Sequence, residues 1–367
     1  MKKFLLATFV LMSTIVGVGM FGLPYVGARS GFLITGGLLL LLTMIMITIH
    51  LFYAEIVLKT NKNCRLPGYA EEYLGNRAKT IIGIFVILGF YGSLLVYIIV
   101  GGNFLGMVLS QFINLPLICF NLIFFIIGSI AIYSGLKLIS GLDMLMGLFL
   151  IVIIFIFLIL GYDNIKLTNL TVINWQNILV PYGAILYSLA GMSVIPEIKE
   201  MFKRGNIRKQ YRRVIVWGTA IPGIMYLIFT GIVIGLTGSQ TTEEAIDGLA
   251  GIIGGKAVLF GSLFGFLATI TSFFALGLSL KQTYIYDFKI KKGAAWLLTC
   301  VVPIILFVSG VHSFVVVITV IGAIMGLIEC SAIVFMHQKM TGKKSWIKLL
   351  IVLMFVIGFM YTIINIL

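Results

Sequence analysis

Apolar runs long enough to cross a bilayer alternate with short polar segments from one end of the chain to the other. A membrane-spanning helix needs about 20 mainly apolar residues. By that measure eleven spans are predicted, near residues 4–27, 32–58, 80–110, 115–134, 142–161, 178–202, 214–236, 257–280, 294–310, 312–336 and 346–367. Ser309-Gly310-Val311 alone parts the ninth from the tenth, which predicts a tight hairpin. Residues 67–79, PGYAEEYLGNRAK, predict a short helix on the membrane surface. The expected class is an all-α polytopic membrane protein.

Two of these runs are interrupted where a membrane is driest. Residues 13–25, STIVGVGMFGLPY, put Gly17, Gly19, Gly22 and Pro24 inside the first span. Gly and Pro weaken helices, and broken backbone at that depth is tolerated only where protein buries it or it lines a cavity. Residues 181–197, PYGAILYSLAGMSVIPE, repeat the pattern in the sixth span: Ser188, Ala190, Gly191 and Ser193 interrupt it and Pro196 follows. Glycine at such spacing also suits close helix packing; the pairing of two breaks favours a binding site. An opened helix presents amides at one new end, suited to a carboxylate, and carbonyls at the other, suited to an ammonium or a cation. The pair therefore predicts a site for a small zwitterion. Five spans start from residue 4 and five more from about 178, so an interrupted first helix in each half points to an inverted-repeat transporter. One transmembrane domain, 1–367, is expected, with repeats at about 4–162 and 178–336 and an added helix at 346–367.

Composition agrees. The 367 residues are 60% hydrophobic and 10% charged, against about 25% charged in soluble domains, and the mean hydropathy is +1.15. The net charge of +14 raises the question of a nucleic-acid partner, but its placement answers otherwise. With the N-terminus in the cytoplasm, 23 of the 26 Lys and Arg fall on the cytoplasmic side, leaving Arg29, Lys166 and Lys256 opposite. That bias is a topology signal and a lipid-facing band. It predicts a plasma-membrane protein with its C-terminus outside, a lipid-bilayer partner and no nucleic acid. Cysteines placed at Asn169 and Thr241 should label from outside, and one at Asn206 only after permeabilisation. Cys64, Cys119, Cys300 and Cys330 have no metal or disulfide spacing and read as small buried residues. The Lys2-Lys3 start followed by apolar residues fits a signal peptide in outline, but is taken as a retained first helix.

Residues 15–25, IVGVGMFGLPY, resemble the first-helix motif of amino acid permeases in the amino acid/polyamine/organocation superfamily. Residues 193–199, SVIPEIK, are similar to the sixth-helix ending of those permeases, and residues 271–278, TSFFALGL, to the eighth-helix motif. The resemblance covers almost the whole chain in order and looks nearest to the amino acid/auxin permeases and the bacterial hydroxy and aromatic amino acid permeases. It departs at Lys281-Gln282-Thr283, where acidic or apolar residues are expected. It implies the five-plus-five inverted-repeat fold of the bacterial leucine transporter, with discontinuous helices 1 and 6, and secondary uptake of amino acids. Germinant-receptor subunits also resemble this fold, so an amino-acid-sensing membrane receptor is the alternative.

Candidate residues follow from the breaks and from polar groups at mid-span. Backbone amides at Gly17, Val18, Gly19, Met20 and Phe21 are expected to meet the substrate carboxylate. Carbonyls and hydroxyls at Tyr187, Ser188, Ala190 and Gly191 should meet its ammonium. Thr14 before the first break, and Tyr97 and Asn103 in the third span, complete the substrate set. With no charge at the breaks, a neutral aliphatic or aromatic amino acid is expected. A bulky residue at Gly19 or Gly191 should fill the gap through which ligand reaches the backbone. Thr271 and Ser272, with carbonyls near Val16 and Gly19, resemble the sodium site of sodium-coupled members; each hydroxyl could equally bond its own helix. Glu329, a carboxyl well inside the tenth span, is the proton-carrying alternative or a structural group. The fifth span lacks the lysine that replaces sodium in some proton-coupled relatives, which tilts the reading toward Na+ over H+. Glu55 is expected to pair structurally with His50, and Glu197, Lys199 and Glu200 to form interfacial charge or a gate. No metal beyond sodium, no cofactor and no catalytic set is indicated, so no enzyme is expected.

Overall fold

The computed structural model describes residues 2–60, 64–135, 142–202, 207–286, 288–343 and 345–366. Among them there are helices and no strand. The first span is two helices, α1 (Lys2–Ile15) and α2 (Gly19–Ser30), bent by 55°. Then come α3 (Phe32–Lys59), the short α4 (Leu66–Leu74), α5 (Asn76–Leu109), α6 (Leu117–Ser134), α7 (Leu142–Gly161) and α8 (Leu167–Leu170). The sixth span is also broken, into α9 (Tyr182–Ser188) and α10 (Ile195–Met201). The rest are α11 (Ile207–Thr237), α12 (Ala250–Ile253), α13 (Gly255–Tyr286), α14 (Lys292–Val308), α15 (Phe314–Met325), α16 (Ser331–Thr341) and α17 (Trp346–Ile366). A π-helical turn, Gly326–Cys330, joins α15 to α16.

Among the described residues seven helices are long and apolar enough to cross a membrane, or eight with the bent α1–α2 pair. The other three expected spans are the broken α9–α10, α14 with 17 residues, and α7, whose side chains are described only from Val152 onward. α5 packs against α4, α6, α13, α14 and α15, while α1 lies on α7, α10 and α11.

The two ends of the bundle differ. At the basic end Lys199 Nζ donates to Val57 O and Thr60 O at 2.7 and 3.2 Å, and Arg65 pairs with Glu197 at 2.7 Å. His50 and Glu55 do not pair: His50 Nδ1 lies 2.9 Å from Thr219 Oγ1, and Glu55 meets His337 at 3.0 Å and Arg208 at 3.6 Å. The helical period explains this, because five residues on a helix point to different faces.

At the opposite end, the segment between α11 and α13 turns into the bundle. Ala245, Ile246 and Leu249 are buried, and Ala245 adopts the left-handed region at φ +63°. Glu243 accepts from Ser313 Oγ at 3.0 Å. Thr241, expected to be accessible, is buried with its hydroxyl bonded to Gly238 O, so Gln240, which is exposed, is the better labelling position. Asn206 lies outside the described residues.

Candidate functional site

The two broken spans meet at mid-bundle. In the first, Val16 N bonds Met12 O at 2.7 Å, and Met20 N and Phe21 N bond Gly17 O and Val18 O at 3.3 and 3.1 Å. Between them, among the described residues, the amides of Gly17, Val18 and Gly19 have no backbone partner, and the Gly17 amide interacts with the Tyr226 hydroxyl of α11. They stand at the N-terminal end of α2, where free amides and the helix dipole favour an anion. On the other side of the break, Ile15 O accepts from the Tyr226 hydroxyl of α11 at 2.7 Å. The same hydroxyl lies 3.2 Å from Ser188 O, at the end of α9.

The glycines of the breaks have unlike surroundings. A methyl built on Gly17 meets only Tyr97 Oη, at 3.9 Å, so this backbone faces open space. At Gly19 the same methyl lies 2.5 Å from Ser188 Oγ and 3.1 Å from Ser188 Cα. At Gly191 it lies 2.7 Å from Ile15 and 3.1 Å from Leu11. The gap expected at Gly19 and Gly191 is thus filled by the opposite broken span. These two glycines allow the close approach, and Gly17 borders the opening.

Hydroxyls surround that opening. Tyr97 keeps accessible surface although it sits mid-helix, and its hydroxyl interacts with Ser272 of α13. Tyr187, also half-exposed, interacts with Ser93 of α5. Val18, Met20 and Phe21 are buried, with Phe21 edge-on to Phe104 and Phe229 at 4.9 and 6.1 Å. They contribute backbone to the site and side chains to the packing. Ser188 Oγ bonds Ala184 O at 2.7 Å, and half-buried Ala190 N bonds Tyr187 O.

Other expected residues lie elsewhere or are engaged. Thr14 is exposed and bonds Val10 O of its own helix at 2.8 Å. Asn103 is six residues beyond Tyr97, about 9 Å along the axis; its Nδ2 donates to Glu244 Oε1 at 2.6 Å. Burial pushes the Glu244 carboxyl above its ordinary range, and the Asn103 bond offsets part of that shift. Thr271 Oγ1 donates to Ala268 O at 3.0 Å, which still leaves its lone pairs free to accept a cation. Glu329 sits in the π turn, half-buried and facing Tyr53; among the described residues no hydrogen bond or ion pair holds its carboxyl. π turns are frequent at functional sites.

Tyr226, Ser93 and Glu244 were not among the expected site residues. A tyrosine inside the apolar seventh run carries a hydroxyl that needs a buried partner, which is the one signal that marked Tyr226.

A family model for the tryptophan/tyrosine permease family matches residues 1–365. The chain is 25% identical over 301 residues to tyrosine-specific transport system 1 of Haemophilus influenzae, covering 77% of this chain and 73% of that one. It is 23% identical over 280 residues to glutamine transporter 2 of Aliivibrio fischeri, covering 74% and 72%. Among solved structures it is similar to Mhp1, a nucleobase-cation-symport-1 family transporter, at a TM-score of 0.70 and 14% identity, covering 98% of this chain and 90% of that one. It is also similar to MhsT in complex with L-phenylalanine, at a TM-score of 0.67 and 15% identity over 98% of both chains. These likenesses show the fold: the all-helical, leucine-transporter-type arrangement with discontinuous first and sixth spans.

Proposed function

Because the chain belongs to the tryptophan/tyrosine permease family, we propose that it is a secondary transporter importing a neutral amino acid, aliphatic or aromatic, by cation symport with alternating access. Family and relatives are transporters, not enzymes, and give no support to a sensing receptor. The observation that carries the reading is the opening beside Gly17, where amides without a backbone partner among the described residues meet the carbonyl ends of two half-helices. The amides of Val18 and Gly19 take the carboxylate, with the Tyr97 hydroxyl beside them, while the Gly17 amide interacts with the Tyr226 hydroxyl. Carbonyls at Ile15 and Ser188 take the ammonium. The groups named around the opening are uncharged, so a neutral side chain is accommodated best. The basic end faces the cytoplasm of a plasma membrane, by the distribution of Lys and Arg.

For the cation, sodium at Thr271, Ser272 and the carbonyls of Val16 and Gly19 is the first reading. Glu329, whose carboxyl has no hydrogen bond or ion pair among the described residues, favours a second, in which that carboxyl carries a proton. A thermal-shift screen against neutral, acidic and basic amino acids tests the substrate class, since ligand at 100 times its Kd stabilises by about 2.7 kcal/mol. Neutral amino acids should shift the transition and glutamate and lysine should not. Concentrative uptake into proteoliposomes then separates a transporter from a sensor, which binds without accumulating solute.

A further inference from the structure

We propose that Tyr226 is the positioning residue of the ammonium subsite: its hydroxyl ties the last carbonyls of α1 and α9 at the spacing the substrate requires. This rests on the reading above that those carbonyls receive the ammonium. Tyr226 is fully buried in α11, a helix that is itself unbroken across this depth. Its Oη lies 2.7 Å from Ile15 O and 3.2 Å from Ser188 O, the final residues of two half-helices belonging to different spans. Both carbonyls sit at C-terminal ends, where the partial charge is negative and no helical amide follows to satisfy them. Two such ends facing each other repel. The one hydroxyl proton bonds Ile15 O, with Ser188 O as the weaker arm of a shared bond; this lessens the repulsion and leaves each carbonyl a second lone pair for a ligand.

The Tyr226 hydroxyl thus does for the empty site what the ammonium does for the occupied one. The ring is fully buried in a continuous helix that carries Pro222 one turn earlier, so the hydroxyl is placed by α11 and bridges the two broken spans. Gly19 against Ser188 and Gly191 against Ile15 bring the same two segments together, so the tie closes a contact that is already tight.

Tyr226→Phe removes the hydroxyl and keeps the ring. The test measures, by calorimetry on the purified protein, the binding of L-tyrosine and of its α-hydroxy acid analogue, which keeps the carboxylate and side chain but has no ammonium. L-Tyrosine should bind the variant about 10- to 100-fold more weakly, the range for a lost hydrogen bond that orients a charged group. The hydroxy acid should bind variant and wild type alike. Equal weakening of both ligands, or of neither, would overturn the proposal, because a general packing defect does not discriminate by ammonium. If wild-type protein binds no neutral amino acid, the functional reading fails instead, so the two failures are distinguishable. Should the phenylalanine variant not fold, fluorotyrosine placed at 226 alters donor strength at constant shape. A change of threefold or more in L-tyrosine affinity alone supports the tie, and no change refutes it.

Discussion

The first and sixth spans are both broken at mid-bundle, but the first break is open at Gly17 and packed at Gly19, whereas the second is packed at Gly191. Beside Gly17 there is space out to Tyr97 Oη at 3.9 Å, whereas Gly191 is pressed against Ile15 and Leu11. The difference shows that glycine serves two purposes in one site. At Gly19 it lets two backbones approach and at Gly191 it admits the side chains of Ile15 and Leu11; at Gly17 it borders open space. Substitution should therefore damage the protein in two separable ways.

The largest effect is expected at the contact. Gly19→Leu forces atoms into Ser188, whose backbone cannot give way as a flexible side chain can. It should abolish ligand binding and destabilise the protein by about 1–3 kcal/mol or more, the usual cost of overpacking. A thermal melt with and without L-tyrosine measures both. A variant that melts normally and still binds would show that the two spans are not held together at Gly19.

The next prediction asks whether the first break holds a cation as well as a substrate. Uptake into vesicles is measured with a sodium gradient or a proton gradient imposed separately. If Thr271 and Ser272 complete a sodium site with the carbonyls of Val16 and Gly19, Thr271→Val should cut sodium-driven uptake about 10-fold or more, and Glu329→Gln should leave it. A hydroxyl's ligand oxygen is lost in the first case, and a hard cation needs several at short range. Uptake that ignores sodium and collapses with an uncoupler and in Glu329→Gln would assign coupling to the carboxyl.

A smaller, graded effect concerns the side of the break sealed by the inturned segment. Burial raises the Glu244 carboxyl in this sealed arrangement. A raised acid binds its proton more readily here than when exposed, so sealing is favoured at low pH and weakens as pH rises past the raised value. In a background without the four native cysteines, the labelling rate of Ile246→Cys relative to an exposed reference, Gln240→Cys, should be lower at pH 5 than at pH 8, the ratio cancelling the change in thiolate fraction. Glu244→Gln should remove most of that difference. Labelling independent of pH in the parent would contradict the role of the carboxyl.

Much of this was legible in the sequence because the bilayer constrains it. The apolar runs place the helices to within a few residues, and Gly17, Gly19 and Pro24 mark one break as Ser188, Gly191 and Pro196 mark the other. The unlike surroundings of the glycines were not legible, since each depends on what the other span places opposite it. Tyr226 reaches carbonyls 211 and 38 residues away, a relation with no local pattern. Glu244 reads as a solvated loop acid, and only the inward turn of its segment buries it. The π turn at Glu329 leaves no periodic trace, because one inserted residue in an apolar helix looks like any other.

The open side of the comparison is tested most directly by binding, to Gly17→Val, of the neutral amino acid that stabilises the wild type in the thermal-shift screen. The Cβ of the new side chain meets only Tyr97 Oη, at 3.9 Å, so the melting temperature without ligand should stay close to wild type. If the opening beside Gly17 is the substrate's place, the variant should lose at least about 100-fold in affinity, or about 2.7 kcal/mol. Wild-type affinity in a normally folded Gly17→Val protein would place the substrate elsewhere and contradict the account.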